Sequence, residues 1–327
     1  MSNIIPTNID EAIARIDDWK GKDVKYERIT AGITNPNYHV FVDDQEFFLK
    51  VPGAGTDFID RDNCHAANQI ASDAGVGAKV FYYFPDTGVE VFDWLTGYRM
   101  TNVTDSYNWD ITKAAIECIR DFANLPGAQM PLVQSVFEQA EDMQVRAKAA
   151  GCEYMPPWQL TMKYYVDRIE AAFKTVGMEL KPCHNDYWYA NFMYDDETKK
   201  GMIIDMEYGS MNEPIFDLAS WGMMFANDVQ VEDMVKLYNY GEWDEILFAK
   251  TNLARFTLEA KWMWWALMQS VTSDVGYDFY AWYNDKSSRM RYYLLDQRLD
   301  LWLGKLEGRA FWRKPEVWDT QTRKFEF

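Results

Sequence analysis

Apolar and polar positions alternate with different periods in different parts of the chain. Ile9, Ala12, Ile13, Ile16 and Trp19 recur at helical spacing, which predicts a short amphipathic helix over residues 8–19. From Tyr26 the pattern becomes strand-like. YERITAGITNPNYHVFV, EFFLKV, KVFYYF and VEVFDW are rich in β-branched and aromatic residues and are separated by the turn signals Asp43-Asp44, Pro85-Asp86 and Thr87-Gly88. One helical stretch, about Ile59 to Ala74 and closed by Gly75 and Gly77, interrupts them. A small antiparallel sheet with one inserted helix is therefore expected over about residues 24–94.

Beyond Gly97 the period is mostly helical: Trp109 to Asn124, Leu132 to Ala150, Trp158 to Phe173, Pro214 to Asn227, Val231 to Tyr240 and Asn252 to Ser273. The exception is Asn191 to Glu207, where FMY and GMIID flank the turn DDETKKG and predict a β-hairpin. The expected class is α+β, with a small sheet lobe at residues 1–96 and a larger helical lobe at 97–327. Gly97 marks a hinge between them.

Composition narrows the partners. The 327 residues carry 33 Lys+Arg against 51 Asp+Glu, a formal net charge of −18. Such a surface repels nucleic-acid phosphates and anionic lipid. It attracts small cations, and 14 Trp and 20 Tyr offer faces for them, although Trp also fills cores. Cys64, Cys118, Cys152 and Cys183 are scattered without zinc-site spacing, so reduced thiols and a cytoplasmic location are expected. No stretch of about 18 apolar residues occurs.

The chemistry concentrates in residues 183–221, CHNDYWYANFMYDDETKKGMIIDMEYGSMNEPIFDLASW. His184, Asp186 and Asn191 form an HxDxxxxN pattern, and Asp205 ends the second hairpin strand. Phosphoryl transfer requires a group to orient a hydroxyl, oxygen ligands for a divalent metal and neutralisation of phosphate charge. One carboxylate for the hydroxyl proton, with an amide and a second carboxylate for metal, meets that need. A kinase catalytic loop spaces its Asp and Asn in the same way. His184 is expected to brace the loop. Upstream, Gly32, Thr34, Asn35 and Asn37 form a polar turn between strands that can cover ATP phosphates. Lys50, between Leu49 and Val51, suits a solvent-facing edge or, given the downstream set, a contact to the α- and β-phosphates.

AGITNPNYHVFV, FFLKVPGAGT followed by IDR, HNDYWYAN and IDMEYGSMNEPIFDLASW together resemble the choline/ethanolamine kinase family, in a bacterial choline-kinase-like form, over about residues 26–300. The resemblance implies a bilobal, protein-kinase-like fold related to aminoglycoside phosphotransferases. It implies Asp186 as catalytic base, Asn191 and Asp205 on Mg2+, and Lys50 on the ATP phosphates. Phe92, Asp93 and Leu95 belong to the segment whose backbone would meet adenine. Glu207 would lie near the metal and the substrate ammonium, and Asp217 would brace the catalytic loop. Trp262 and Trp265, one helical turn apart, with Tyr280, would cage a quaternary ammonium, a pattern that core packing also produces.

Two positions depart from the family. Cys64 stands where the inserted helix carries a Glu that pairs with the strand lysine, and Asp60, one turn earlier, is the candidate substitute. Met211 stands where many eukaryotic relatives close the cage with a Tyr. The expected activity is ATP- and Mg2+-dependent phosphorylation of a small cationic alcohol, choline first. Ethanolamine, thiamine, another amino alcohol or an aminoglycoside are alternative acceptors, a pseudokinase binding a quaternary amine is the alternative class, and a homodimer is a further expectation.

Overall fold

Alternation in the N-terminal third builds one antiparallel sheet. The computed structural model describes residues 4–30, 35–53, 56, 59–152, 157–225, 227–273 and 276–309. Helix α1 (Ile9–Ala14) is started by a capping box: the Asn8 side chain accepts the Glu11 N–H while Glu11 reaches back to the Asn8 N–H. Strands β1 (Val24–Ile29), β2 (Asn37–Val42) and β3 (Gln45–Lys50) precede helix α2 (Arg61–Asp73), and β4 (Val80–Phe84) and β5 (Val89–Asp93) follow it. The sheet order is β1-β2-β3-β5-β4. All neighbours are antiparallel.

Period-two alternation gives the sheet two unlike faces. Val40, Val42, Phe47, Leu49, Val89 and Val91 join Ile9, Ala12, Ile16 and Trp19 in a closed apolar core. The Trp19 ring lies 5.1 Å from Phe47. The intervening positions mix polar and aromatic side chains, and Asn37 and Glu90 both stand opposite Lys50 in the ladder. Burial on one face thus fixes the register that places Lys50 on the other.

After β6 (Arg99–Met100) come helices α3 (Trp109–Ala123), α4 (Val136–Ala149) and α5 (Pro157–Val176). Four short strands follow: β7 (Lys181–Cys183), β8 (Phe192–Tyr194), β9 (Gly201–Ile203) and β10 (Ser210–Asn212). The chain continues with α6 (Ile215–Gly222), α7 (Asp228–Tyr238), α8 (Glu245–Thr272), α9 (Phe279–Leu295) and α10 (Arg298–Leu306). The expected hairpin is β8–β9, extended on one side by β6. β7 and β10 form a separate pair.

Two compact units result, one of Met1–Gln134 with Lys181–Asp217, the other of Ser135–Leu180 with Leu218–Phe327. Compactness therefore groups residues 97–134 and 181–217 with the N-terminal sheet, whereas a division at residue 96 assigns them to the helices. In the second unit, buried Glu259 on α8 pairs with Lys286 at 2.9 Å and Arg289 at 3.5 Å on α9, tying the two helices together. All four cysteines are free. Among the described residues no helix is long and apolar enough to cross a membrane.

Gly201 shows how tightly the hairpin is packed. A Cβ there would run into the ring of Phe192 on β8 and meet Cys118 Sγ on α3 at 3.2 Å. Gly201→Ala is expected to destabilise the protein by about 2 kcal/mol through overpacking. Urea unfolding checks this, and an unchanged midpoint contradicts it.

Candidate active site

The HxDxxxxN segment lies between β7 and β8, and buried polar groups hold its shape. The Asp217 carboxylate accepts the backbone N–H groups of His184 and Asn185, each at 2.7 Å. Asn185 lies in the left-handed region, φ 62°. Its side chain donates to the Tyr208 carbonyl at 2.9 Å and to Ser210 Oγ at 2.7 Å, and Asn212 donates back to it at 2.8 Å. His184 is fully buried. Its Nε2 lies 2.8 Å from the Ile204 carbonyl, and its Nδ1 accepts the Asp186 N–H at 3.3 Å. One tautomer, protonated on Nε2, satisfies both contacts, so His184 is a brace joining the loop to the strand that leads to Asp205.

Asp186 remains only half buried. The Asn191 amide nitrogen donates to the Asp186 carbonyl at 2.9 Å and to Asp186 Oδ2 at 3.0 Å. With its nitrogen end committed there, Asn191 keeps its amide oxygen as the donor atom for a cation.

Asp205 follows β9 with φ 69°, a conformation that costs a non-glycine residue about 1 kcal/mol or more. That turn brings its carboxylate within 2.6 Å of Lys50 Nζ, across 155 residues of sequence. Glu207 Oε1 lies 3.2 Å from the same ammonium and 3.0 Å from Arg61 Nη1. Asn35 Nδ2 donates to Glu207 as well. Arg61 Nη2 reaches Asn35 Oδ1 at 3.2 Å and Thr56 Oγ1 at 2.7 Å. Burial opposes the Lys50 charge, yet the Asp205 and Glu207 carboxylates outweigh it and raise its pKa. For Glu207 burial acts in the opposite sense to its cations, and Lys50 and Arg61 win, holding the carboxyl below its usual range.

The candidate substitute for the helix Glu does not act as one. Asp60 caps α2, its side chain accepting the Asn63 N–H at 3.0 Å. That contact holds the Asp60 carboxylate at the start of α2, and Lys50 is paired instead with Asp205 and Glu207. Cys64 is buried, its Sγ 3.8 Å from the Glu207 carbonyl.

The remaining residues expected to contact nucleotide fall as follows. Thr34 lies outside the described residues. Asn35 is committed to Glu207 and Arg61 and also accepts the Gly53 N–H at 3.1 Å. Asn37 is the ladder partner of Lys50. Phe92 is buried on β5, its ring 6.0 Å from that of Phe48. The Asp93 N–H is donated to the Lys79 carbonyl at 2.8 Å and that of Trp94 to the Glu46 carbonyl at 3.3 Å. Leu95 has the first backbone N–H along this segment that the sheet does not use.

Trp262, Trp265 and Tyr280 belong to the second unit. Trp262 and Trp265 are 7% and 5% exposed, with centroids 5.9 Å apart edge to face. Phe279 and Trp282 complete the cluster around Trp265 at 5.6 and 5.1 Å. Sequence reasoning missed these two, although their i, i+3 spacing is a helical signal. Tyr280, 58% exposed, stacks on Tyr283 at 5.8 Å. Lys261 Nζ sits 4.1 Å from the Trp262 ring centroid. Met211 is buried on β10, its N–H donated to the Leu132 carbonyl at 2.9 Å.

With this geometry in view, similarity to known proteins is informative. The profile described as Choline/ethanolamine kinase matches residues 26–244. This chain belongs to the choline/ethanolamine kinase family. It is 23% identical over 244 residues to "Probable choline kinase 2" of Arabidopsis thaliana, covering 70% of this chain and 68% of that protein. Its fold is similar to that of a choline/ethanolamine kinase family protein from Mesorhizobium loti, with TM-score 0.78 and 24% identity over 91% of this chain and 99% of the other. It is also similar to LicA in complex with AMP, with TM-score 0.68 and 19% identity over 87% and 98% of the two chains. The protein is thus a small-molecule kinase with a mixed α+β, protein-kinase-like fold.

The donors of this choline/ethanolamine kinase family member fit a magnesium-nucleotide complex. Among the described residues no three His, Cys, Asp or Glu side chains form a ready-made metal cage. Magnesium commonly takes one or two protein oxygens and completes its shell with phosphate and water. The Asp205 carboxylate, 41% exposed, and the Asn191 amide oxygen are donors of that kind.

Asp217 sets the loop on which this chemistry depends. Asp217→Ala leaves two backbone donors in a buried site without their carboxylate and is expected to cost about 2–4 kcal/mol of stability. A calorimetric melt checks this; a native melting temperature contradicts the bracing role.

Proposed function

We propose that this kinase moves the γ-phosphoryl group of ATP to the hydroxyl of choline. The observation that carries the reading is the meeting of Lys50 and Asp205 at 2.6 Å in the unit that also holds the Asp186–Asn191 pair. A cation for phosphate, two oxygen donors for metal and a half-buried carboxylate for a hydroxyl form a phosphoryl-transfer set. Residues 1–96 would supply the nucleotide contacts and later residues the acceptor contacts.

In this scheme the Leu95 N–H donates to the adenine edge, and Phe48 and Phe92 border the base. Lys50 holds the α- and β-phosphates, with Thr34 and Asn37 near them. Asn191 and Asp205 would hold magnesium, which would neutralise phosphate charge. Asp186 orients the alcohol and accepts its proton as the oxygen attacks phosphorus. Asn191 fixes the Asp186 carboxylate by donating to it.

The aromatic cluster around Trp265 supports choline, because a trimethylammonium group donates no hydrogen bond and binds through ring faces. Ethanolamine or another amino alcohol is the second reading. It draws on Lys261, whose ammonium already occupies the Trp262 ring, and on Tyr280, which stacks on Tyr283. Four free thiols agree with a cytoplasmic setting.

Coupled ADP release with choline, ethanolamine and kanamycin tests the acceptor; choline is expected to give the highest kcat/KM, and a clear preference for another acceptor overturns the choice. In the same assay Asp186→Ala is expected to lower kcat by about 10²–10⁴-fold while ATP still binds. Turnover retained by that variant contradicts the base.

A further inference from the structure

Every acidic side chain of α2 that could approach Lys50 is engaged elsewhere. Asp60 caps the helix. Asp62 accepts the Tyr83 hydroxyl at 2.6 Å. Asp73 accepts Gln69 at 2.8 Å. Glu90, beside Lys50 in the ladder, is held by His65 and Asn68, each at 2.8 Å. The helix position facing the Glu207 backbone carries a buried thiol, that of Cys64. Among the described residues the carboxylates paired with Lys50 are those of Asp205 and Glu207.

These two partners differ in kind. Asp205 is 41% exposed, so an incoming cation can compete with Lys50 for it. The Glu207 and Arg61 side chains are each 5% exposed and paired with one another. Arg61 is itself forked onto Asn35 and Thr56. The Asn63 amide fastens α2 to the same segment by donating to the Gly209 carbonyl at 2.7 Å. Glu207 therefore sits in a frame that does not depend on what Asp205 binds.

We propose that Glu207, locked by Arg61 and Asn35, is the positioning residue for Lys50. Asp205 is the exchangeable partner and Glu207 the fixed one. Lys50 then keeps its place when the Asp205 carboxylate turns to a metal ion. The inference rests on the kinase reading only in taking nucleotide phosphate as the ligand of Lys50.

The test is binding of a fluorescent ADP analogue in excess EDTA, where no role of Glu207 as a metal ligand can contribute. Glu207→Gln is expected to weaken this metal-free affinity by about tenfold, since Lys50 loses its fixed partner. Cys64→Glu added to that variant returns a carboxylate from the helix side and is expected to restore affinity to within about threefold of native. Unchanged affinity in the single variant, or no recovery in the double variant, overturns the proposal. Where Glu207→Gln does not fold, Arg61→Lys keeps the charge but loses the fork. A fall of about threefold in its metal-free affinity supports the proposal and native affinity overturns it. ADP release by the native chain needs an acceptor and the binding comparison does not, so failure of the substrate assignment leaves this test intact.

Discussion

Lys50 carries a positive charge where little water reaches it, and the surrounding architecture follows from the need to compensate that charge. An ammonium in such a place is tolerated only with close counter-charge. Asp205 and Glu207 supply it at 2.6 and 3.2 Å. Glu207 brings in Arg61, and Arg61 brings in Asn35 and Thr56. Strand β3, Asn35 ahead of β2, Thr56 beyond β3, the start of α2 and the segment after the β8–β9 hairpin are thereby bound to one electrostatic centre. Removing either member of such a buried pair leaves a lone charge, which typically costs about 3–5 kcal/mol.

The reactive loop answers the same demand with a different device. Asp217 neutralises two backbone donors, Asn185 adopts a left-handed backbone, and His184 spans from the loop to the Ile204 carbonyl. Ile204 immediately precedes Asp205, so one imidazole ties the loop to the segment that carries Asp205. Asp186 and Asn191 can then meet at 3.0 Å, with Asn191 buried and Asp186 half buried. Preorganisation of this kind moves the cost of orienting catalytic groups into folding.

Much of this was legible in the residues and some was not. The five strands of the N-terminal sheet carry period-two alternation and turn signals strong enough to be read directly, and the β8–β9 hairpin shows through the turn DDETKKG between two short apolar segments. The pairs β6–β8 and β7–β10 were invisible, because strands of two or three residues contain no period. Helix α8 begins at Glu245 rather than near Asn252 because Asp244 caps it, accepting the Ile246 and Leu247 N–H groups. Helices α9 and α10 were missed because α9, FYAWYNDKSSRMRYYLL, mixes aromatic and charged residues without a clean apolar stripe. Asp186, Asn191 and Asp205 stand out by their spacing, and Lys50 only beside that set. The pairing of Glu207 with Lys50, Arg61 and Asn35 does not, since its contact to Asn35 spans 172 residues and no local pattern encodes it. Asp60 looked suited to Lys50 by helical spacing, but a helix N-terminus claims its nearest oxygen first.

The claim at the centre is that Lys50 is held charged and in place to receive nucleotide phosphate. Calorimetric titration of ATP into the folded Lys50→Ala variant, beside the native chain, tests it most directly. Loss of a charged phosphate contact is expected to weaken binding by about tenfold or more. Equal affinity in the two proteins would contradict it.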